Sequence, residues 1–78
     1  MNKTEFKYPF VIYPAEEGGY VAEIPALKGC PAQGETLKET LSELEMVASL
    51  WIETAQMHGE TLPDAKVEIE RVKQKLAA

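Results

Sequence analysis

Along residues 6–13, FKYPFVIY, Phe6, Tyr8, Phe10 and Ile12 fall on one side of an extended chain. A period of two predicts a half-buried strand. Pro9 interrupts it, and a residue without an N–H belongs at a bulge or an unpaired position. PAEEGG at 14–19 predicts a turn, with Gly18 and Gly19 available for positive φ. A second strand follows at 20–24, with Tyr20, Ala22 and Ile24 on one face and Pro25 as its end. ALKG makes another turn, and residues 30–34 form a short third strand.

At residue 36 the period changes. Thr36-Leu37-Lys38-Glu39 fits a capping box, in which the Thr36 hydroxyl accepts from an early amide and Glu39 reaches back to the cap amide. The predicted helix covers 37–58, with Gly59 as a left-handed stop. At about 100° per residue, Leu37, Leu41, Leu44, Ala48, Trp51 and Ala55 form a stripe that covers the sheet, with Ile52 beside it. Met46, Leu50 and Met57 cluster on the opposite side, flanked by Glu39 and Glu43. A helix on one sheet needs one apolar face, so this second group is a candidate oligomer interface. The plainer explanation is scattered surface hydrophobicity, which is common, although flexible methionines suit protein contacts. The tail AKVEIERVKQKLAA fits two patterns: Val67 and Ile69 alternate as in a strand, while Ile69, Val72 and Leu76 would share a helix face.

These elements make an α+β chain: an antiparallel three-stranded sheet with one long helix on one face. Its 78 residues suit a single domain, 1–78, near the lower size limit for folding without staples. Eight Lys and Arg stand against 13 Asp and Glu, a net charge of −5. Nucleic-acid binding draws most of its affinity from basic side chains on phosphates. Here bases are sparse until Lys66, Arg71, Lys73 and Lys75, so an acidic body points to a basic protein partner. One cysteine leaves no intramolecular disulfide, which suits a reducing compartment. The N-terminus has no signal-peptide pattern and no apolar run reaches membrane length. A cytoplasmic location is the expectation.

Candidate chemistry changes little. Cys30 lacks a nearby base, because the only histidine, His58, falls at the far end of the helix. Cys30 is expected as a small packed residue on the sheet, and one Cys with one His makes no four-ligand zinc set. His58 suits a helix end, where positive charge meets the dipole, and Trp51 is expected to anchor the core. Metal-dependent nucleases need carboxylates converging from a strand centre and a facing helix. Phe10, Val11 and Ile12 supply none, Asp64 is the one aspartate, and Glu39, Glu43, Glu45 and Glu53 read as a solvated helix surface. No catalytic residue, metal site or cofactor is expected, and no glycine-rich phosphate loop occurs. Glu16, Glu17 and Glu23 near the first hairpin are candidate partner contacts, against the simpler view of them as ordinary solvated charge.

Taken in order, Gly19-Tyr20, Ile24-Pro25, Leu27, Gly29-Cys30, Gly34, Thr36 and Leu62-Pro63 resemble the pattern of the HicB-like antitoxins of bacterial toxin–antitoxin systems. The resemblance covers residues 6–65, and its specificity lies in the ordered set. Ala26, Lys28, Glu35 and Ala65 depart from the pattern. The family marks Gly19, Tyr20, Pro25, Gly29, Cys30, Gly34, Thr36 and Pro63 as structural.

The resemblance implies a partial ribonuclease-H-like fold, with a short fourth strand at 66–70 beside the first. It implies a HicA-like toxin as partner, a small basic mRNA interferase whose active face the antitoxin covers. It also implies homo-oligomerisation as a dimer or tetramer. After Pro63, 15 residues remain, too few for the DNA-binding domain of longer members, so direct nucleic-acid binding is not expected. The alternative is an orphan oligomeric structural or regulatory module with no toxin. A remnant metal-dependent nuclease using Glu23 or Glu39 is a third possibility, which the missing strand-centre carboxylate already disfavours.

Overall fold

The computed structural model describes residues 6–29 and 31–77. Three strands, β1 (Val11–Pro14), β2 (Tyr20–Glu23) and β3 (Pro31–Gly34), precede two helices, α1 (Leu37–Met57) and α2 (Ala65–Ala77). The sheet is antiparallel in the order β1-β2-β3. Its register aligns Ile12, Ala22 and Ala32 in one row. Ala22 and Ala32 are buried there, and α1 packs across β2 and β3 on that face.

Strand β1 is shorter than the alternation at 6–13 predicts. Pro9 has no ladder donor, and its partner β2 ends at Glu23, paired to Val11. The inward pattern survives without the ladder: Tyr8 is buried, and Phe6, Phe10 and Ile12 pack on the core. The Phe6 and Phe10 rings lie 4.6 Å apart between centroids. Strand β2 stops one residue before the predicted limit, although Ile24 still points inward and is buried. The expectation for Cys30, which opens the predicted third strand, lies outside the described residues.

The start of α1 follows the capping signal with one displacement. The Glu39 amide donates to Thr36 Oγ1 at 3.1 Å, but Glu39 Oε1 accepts from the Glu35 amide at 3.0 Å rather than from that of Thr36. His58 is the C-cap and Gly59 follows at φ +70°. The buried stripe is Thr40, Leu44, Ala48 and Ala55, whereas Leu37 is half exposed at 50%. Thr40 takes the inward place because its hydroxyl donates to the Thr36 carbonyl at 2.8 Å, leaving no orphan polar group. Leu27 and Leu44 are the fully buried large apolar side chains. Trp51 is only half buried and covers the edge of the core, its indole N–H donating to the Lys28 carbonyl at 2.9 Å.

Two close approaches join sheet and helix. A Cβ on Gly34 would stand 2.8 Å from both the amide nitrogen and the hydroxyl of Thr40, so α1 crosses β3 on the glycine's bare face. Gly19, at φ +77°, brings the hairpin to the end of β3, where a Cβ would meet the Gly34 carbonyl oxygen at 2.5 Å.

The predicted fourth strand at 66–70 is a helix. Asp64 caps it: its Oδ1 accepts from the amides of Lys66 at 2.9 Å and Val67 at 3.4 Å. Glu68 with Arg71 (3.7 Å) and Glu70 with Lys73 (3.8 Å) add pairs at helical spacing. The Tyr8 hydroxyl donates to the Pro63 carbonyl at 2.6 Å, and Ala65 packs on the core. Beyond Ala65 none of the helix's residues is buried, and Glu68, Val72 and Leu76 line a cleft that they share with Val11 of β1 and Pro25.

Candidate functional site

With one face of the sheet covered by α1, the other face is open. Val11, Glu23 and Pro31 align across it in one row, and Tyr13, Val21 and Gln33 in the next. Val11 is 50% exposed and Tyr13 44%. Among the described residues β1 pairs on one side only, so its second edge is unpaired and carries no charged side chain from Val11 to Pro14. Such an edge next to apolar side chains is a surface suited to another polypeptide.

Glu23 is the charge set into this face. The Tyr13 hydroxyl donates to Glu23 Oε2 at 2.7 Å, across the diagonal of the β1–β2 ladder. The tyrosine hydroxyl is held above its ordinary range, first because Glu23 accepts its proton in that bond, then through desolvation and the carboxylate's negative charge. The bond orients the Glu23 carboxylate on the exposed face.

The three predicted acidic contacts do not form one cluster. Glu16 and Glu17 are exposed in the hairpin turn, while Glu23 pairs with Val11 at the opposite end of the strands. Sequence proximity near the first hairpin grouped them; the ladder separates them. Glu35, Glu39 and Glu43 instead share a shallow cleft of ≈ 340 Å³ with Gly18, Tyr20 and Gln33. Glu39 is committed there to the helix cap. Glu23 on the open face and Glu39 at the helix start therefore face different surfaces and do not meet at one centre. Among the described residues no group of three or more His, Cys, Asp or Glu side chains is placed to hold a metal ion.

The second surface is the back of α1. Met46, Leu50 and Met57 are 57%, 59% and 79% exposed, as their helical phase predicts. A groove of ≈ 360 Å³ runs beside Leu50, between Val47, Trp51 and Thr54, with Glu60 at one end. The third is α2, where Leu76 is 81% exposed. A cleft of ≈ 430 Å³ separates Val72 and Leu76 from Val11 and Pro25. Sequence reasoning missed this third surface, although Asp64 as a cap and the spacing of Ile69, Val72 and Leu76 signalled it.

Gly19, Gly29 and Gly34 shape turns or close approaches, Thr36 caps α1, and Pro63 holds Tyr8. Tyr20 is half buried beside Gly34, and exposed Pro25 follows β2. No helix among the described residues is long and apolar enough to cross a membrane.

A family pattern described as UPF0150-like matches residues 11–63, from the start of β1 to the Pro63 tether. The chain is 62% identical over 71 residues to a UPF0150 protein of Synechocystis sp., covering 91% of this chain and 97% of that one. It is 40% identical over 57 residues to a UPF0150 protein of Thermoplasma acidophilum, covering 73% and 83% respectively. No solved structure matches significantly.

Proposed function

This chain belongs to the UPF0150-like family, and on that premise we propose that it is a HicB-like antitoxin, a non-enzymatic binding protein that neutralises a small basic toxin of the mRNA-interferase kind. The observation that carries the proposal is the open face of the sheet: an apolar surface beside an unpaired strand edge, with one carboxylate fixed in it by Tyr13. Apolar contact supplies affinity, and Glu23 supplies a defined site for a cation of the partner. Glu16 and Glu17 at the hairpin tip add long-range attraction, which acts on encounter rate more than on the bound complex. Covering the toxin's active face excludes RNA sterically, and the acidic body repels its phosphates. The three-strand-and-helix unit then serves as a partial ribonuclease-H-like scaffold without a catalytic carboxylate set, in the cytoplasm beside its toxin. The back of α1, with Met46, Leu50 and Met57, serves self-association.

The test starts from the tagged chain recovered from its own host. Small basic proteins that co-purify are then expressed alone and together with this chain. Growth arrest by one such protein alone, relieved by the chain and restored by Glu23→Lys, is the expected result. Recovery of the chain only with copies of itself sinks the toxin reading. It leaves the second reading, an oligomeric module without a toxin, which the exposed back of α1 favours.

A further inference from the structure

The cleft between α2 and the Val11 end of the sheet is apolar on its walls and cationic at its rim. Val11 and Pro25 line it from the sheet side, Val72 and Leu76 from the helix. Its volume, ≈ 430 Å³, falls within the roughly 300–1,000 Å³ of small-molecule sites. The side of α2 turned to the body starts with Ala65 on the core, and Glu68 and Val72, at successive turns, are half-buried. Leu76, one turn further, is 81% exposed. The cleft therefore opens toward the end of the helix, with apolar surface still uncovered on both walls.

The charges around it set the sign of its ligand. Glu68, Arg71 and Lys75 also line the cleft. At about 3.6 residues per turn, they share an arc of about 140° with Val72 and Leu76. Arg71 and Lys75 stand on one flank of that arc, and Val72 and Leu76 on the other. Glu68 pairs with Arg71 at 3.7 Å, whereas Lys75 forms no ion pair among the described residues. One carboxylate against two cations leaves one positive charge in excess. This excess is local: the chain as a whole is at −5, yet α2 holds four of its eight Lys and Arg.

Apolar walls beside one uncompensated cation match an apolar molecule that carries one negative charge. Its body loses contact with water against Val11, Pro25, Val72 and Leu76, and its anion meets the Lys75 ammonium. The same body bearing a cation would face Arg71 and Lys75 as like charges.

We propose that this cleft binds a small apolar monoanion, an aromatic or medium-chain carboxylate, with its body between Val11 and Leu76 and its carboxylate on Lys75. Arg71, engaged by Glu68, adds longer-range attraction. The site goes beyond the toxin reading and does not depend on it.

The experiment follows the backbone amide NMR shifts of the full chain during titration with phenylpropionate. Phenylpropionamide is the neutral control and phenylpropylamine the cationic one. Saturable shifts at Val11, Val72, Lys75 and Leu76 are expected, with a dissociation constant of about 1 mM for a ligand of this size. The amide is expected to bind about threefold more weakly, and the amine more weakly still. Lys75→Glu should weaken phenylpropionate about fivefold, while Lys75→Arg should retain it. Leu76→Ser should weaken all three compounds. Both positions are exposed, and the amide spectrum itself reports whether each variant stays folded. Equal binding of the amide, an unchanged affinity in Lys75→Glu, or shifts centred on the back of α1 overturns the proposal. So does the absence of saturable shifts. Signal loss with phosphatidylglycerol vesicles but no response to phenylpropionate overturns it as well, and assigns the cleft to a lipid surface.

Discussion

Replacing Gly19 by alanine separates two costs that usually arrive together. Gly19 and Gly29 both sit at φ +77°. An added Cβ at Gly29 meets nothing within 4 Å, whereas at Gly19 it meets the Gly34 carbonyl oxygen at 2.5 Å and the Gly34 carbonyl carbon at 3.4 Å. Both alanines incur the left-handed penalty of about 1–2 kcal/mol, partly offset by the smaller entropy of the unfolded alanine chain, about 0.4–1 kcal/mol. Only Gly19→Ala adds an overlap with backbone that cannot rotate aside, which costs about 1–3 kcal/mol in packed interiors. Gly29→Ala is thus expected to lose about 1 kcal/mol and Gly19→Ala about 2–4 kcal/mol. The assay is urea unfolding followed by Trp51 fluorescence, with every variant at one protein concentration because self-association raises apparent stability. At a slope of about 1 kcal/mol/M for a small domain, the two midpoints should differ by at least ~1 M. Equal midpoints would refute the close approach of the first hairpin to the end of β3, and with it the placement of Gly19 against Gly34.

Tyr8→Phe removes the hydroxyl that donates to Pro63; a loss of about 1 kcal/mol in urea unfolding is expected, with faster amide exchange at the start of α2. Thr36→Ala removes the cap of α1 and is expected to cost about 1 kcal/mol, while Thr36→Ser should recover most of it. For Tyr13, the folded-state pKa is raised by its bond to Glu23. The stability from that bond is therefore fully present below the unfolded value of about 10 and is lost as pH rises through the higher folded value. In a tyrosinate absorbance titration, Glu23→Gln should move the Tyr13 transition to lower pH, and Tyr13→Phe should delete it; an unmoved transition argues against the pair.

The candidate surfaces were legible to different depths. The helical phase of Met46, Leu50 and Met57 was enough to put them opposite the core stripe, because phase along a helix is a local property. Glu16, Glu17 and Glu23 are close in sequence, yet strand pairing puts Glu23 at the far end of the hairpin from the other two. The open sheet face as a surface, with Val11, Val21 and Gln33 brought side by side, exists only once the register is set.

Local chemistry by itself determined the inward set Tyr20, Ala22 and Ile24, the start of α1 at Thr36 and its stop at Gly59. Each follows from backbone geometry and hydrogen bonding within a few residues. The tail was also locally encoded: Asp64 as a cap, good helix formers and ion pairs at helical spacing outweigh the alternation of Val67 and Ile69. Those residues fit both a strand and a helix, and the resemblance turned the expectation toward the strand. Tertiary structure alone decided that Thr40 rather than Leu37 faces inward. The crossing of α1 over β3 requires contact at Gly34, and the Thr40 hydroxyl fits that site because the Thr36 carbonyl accepts from it. It also decided where α2 begins, because the Tyr8–Pro63 bond sets its origin from 55 residues away in sequence. No periodicity can carry such information, since the contact that fixes this point joins segments that are neighbours only after folding.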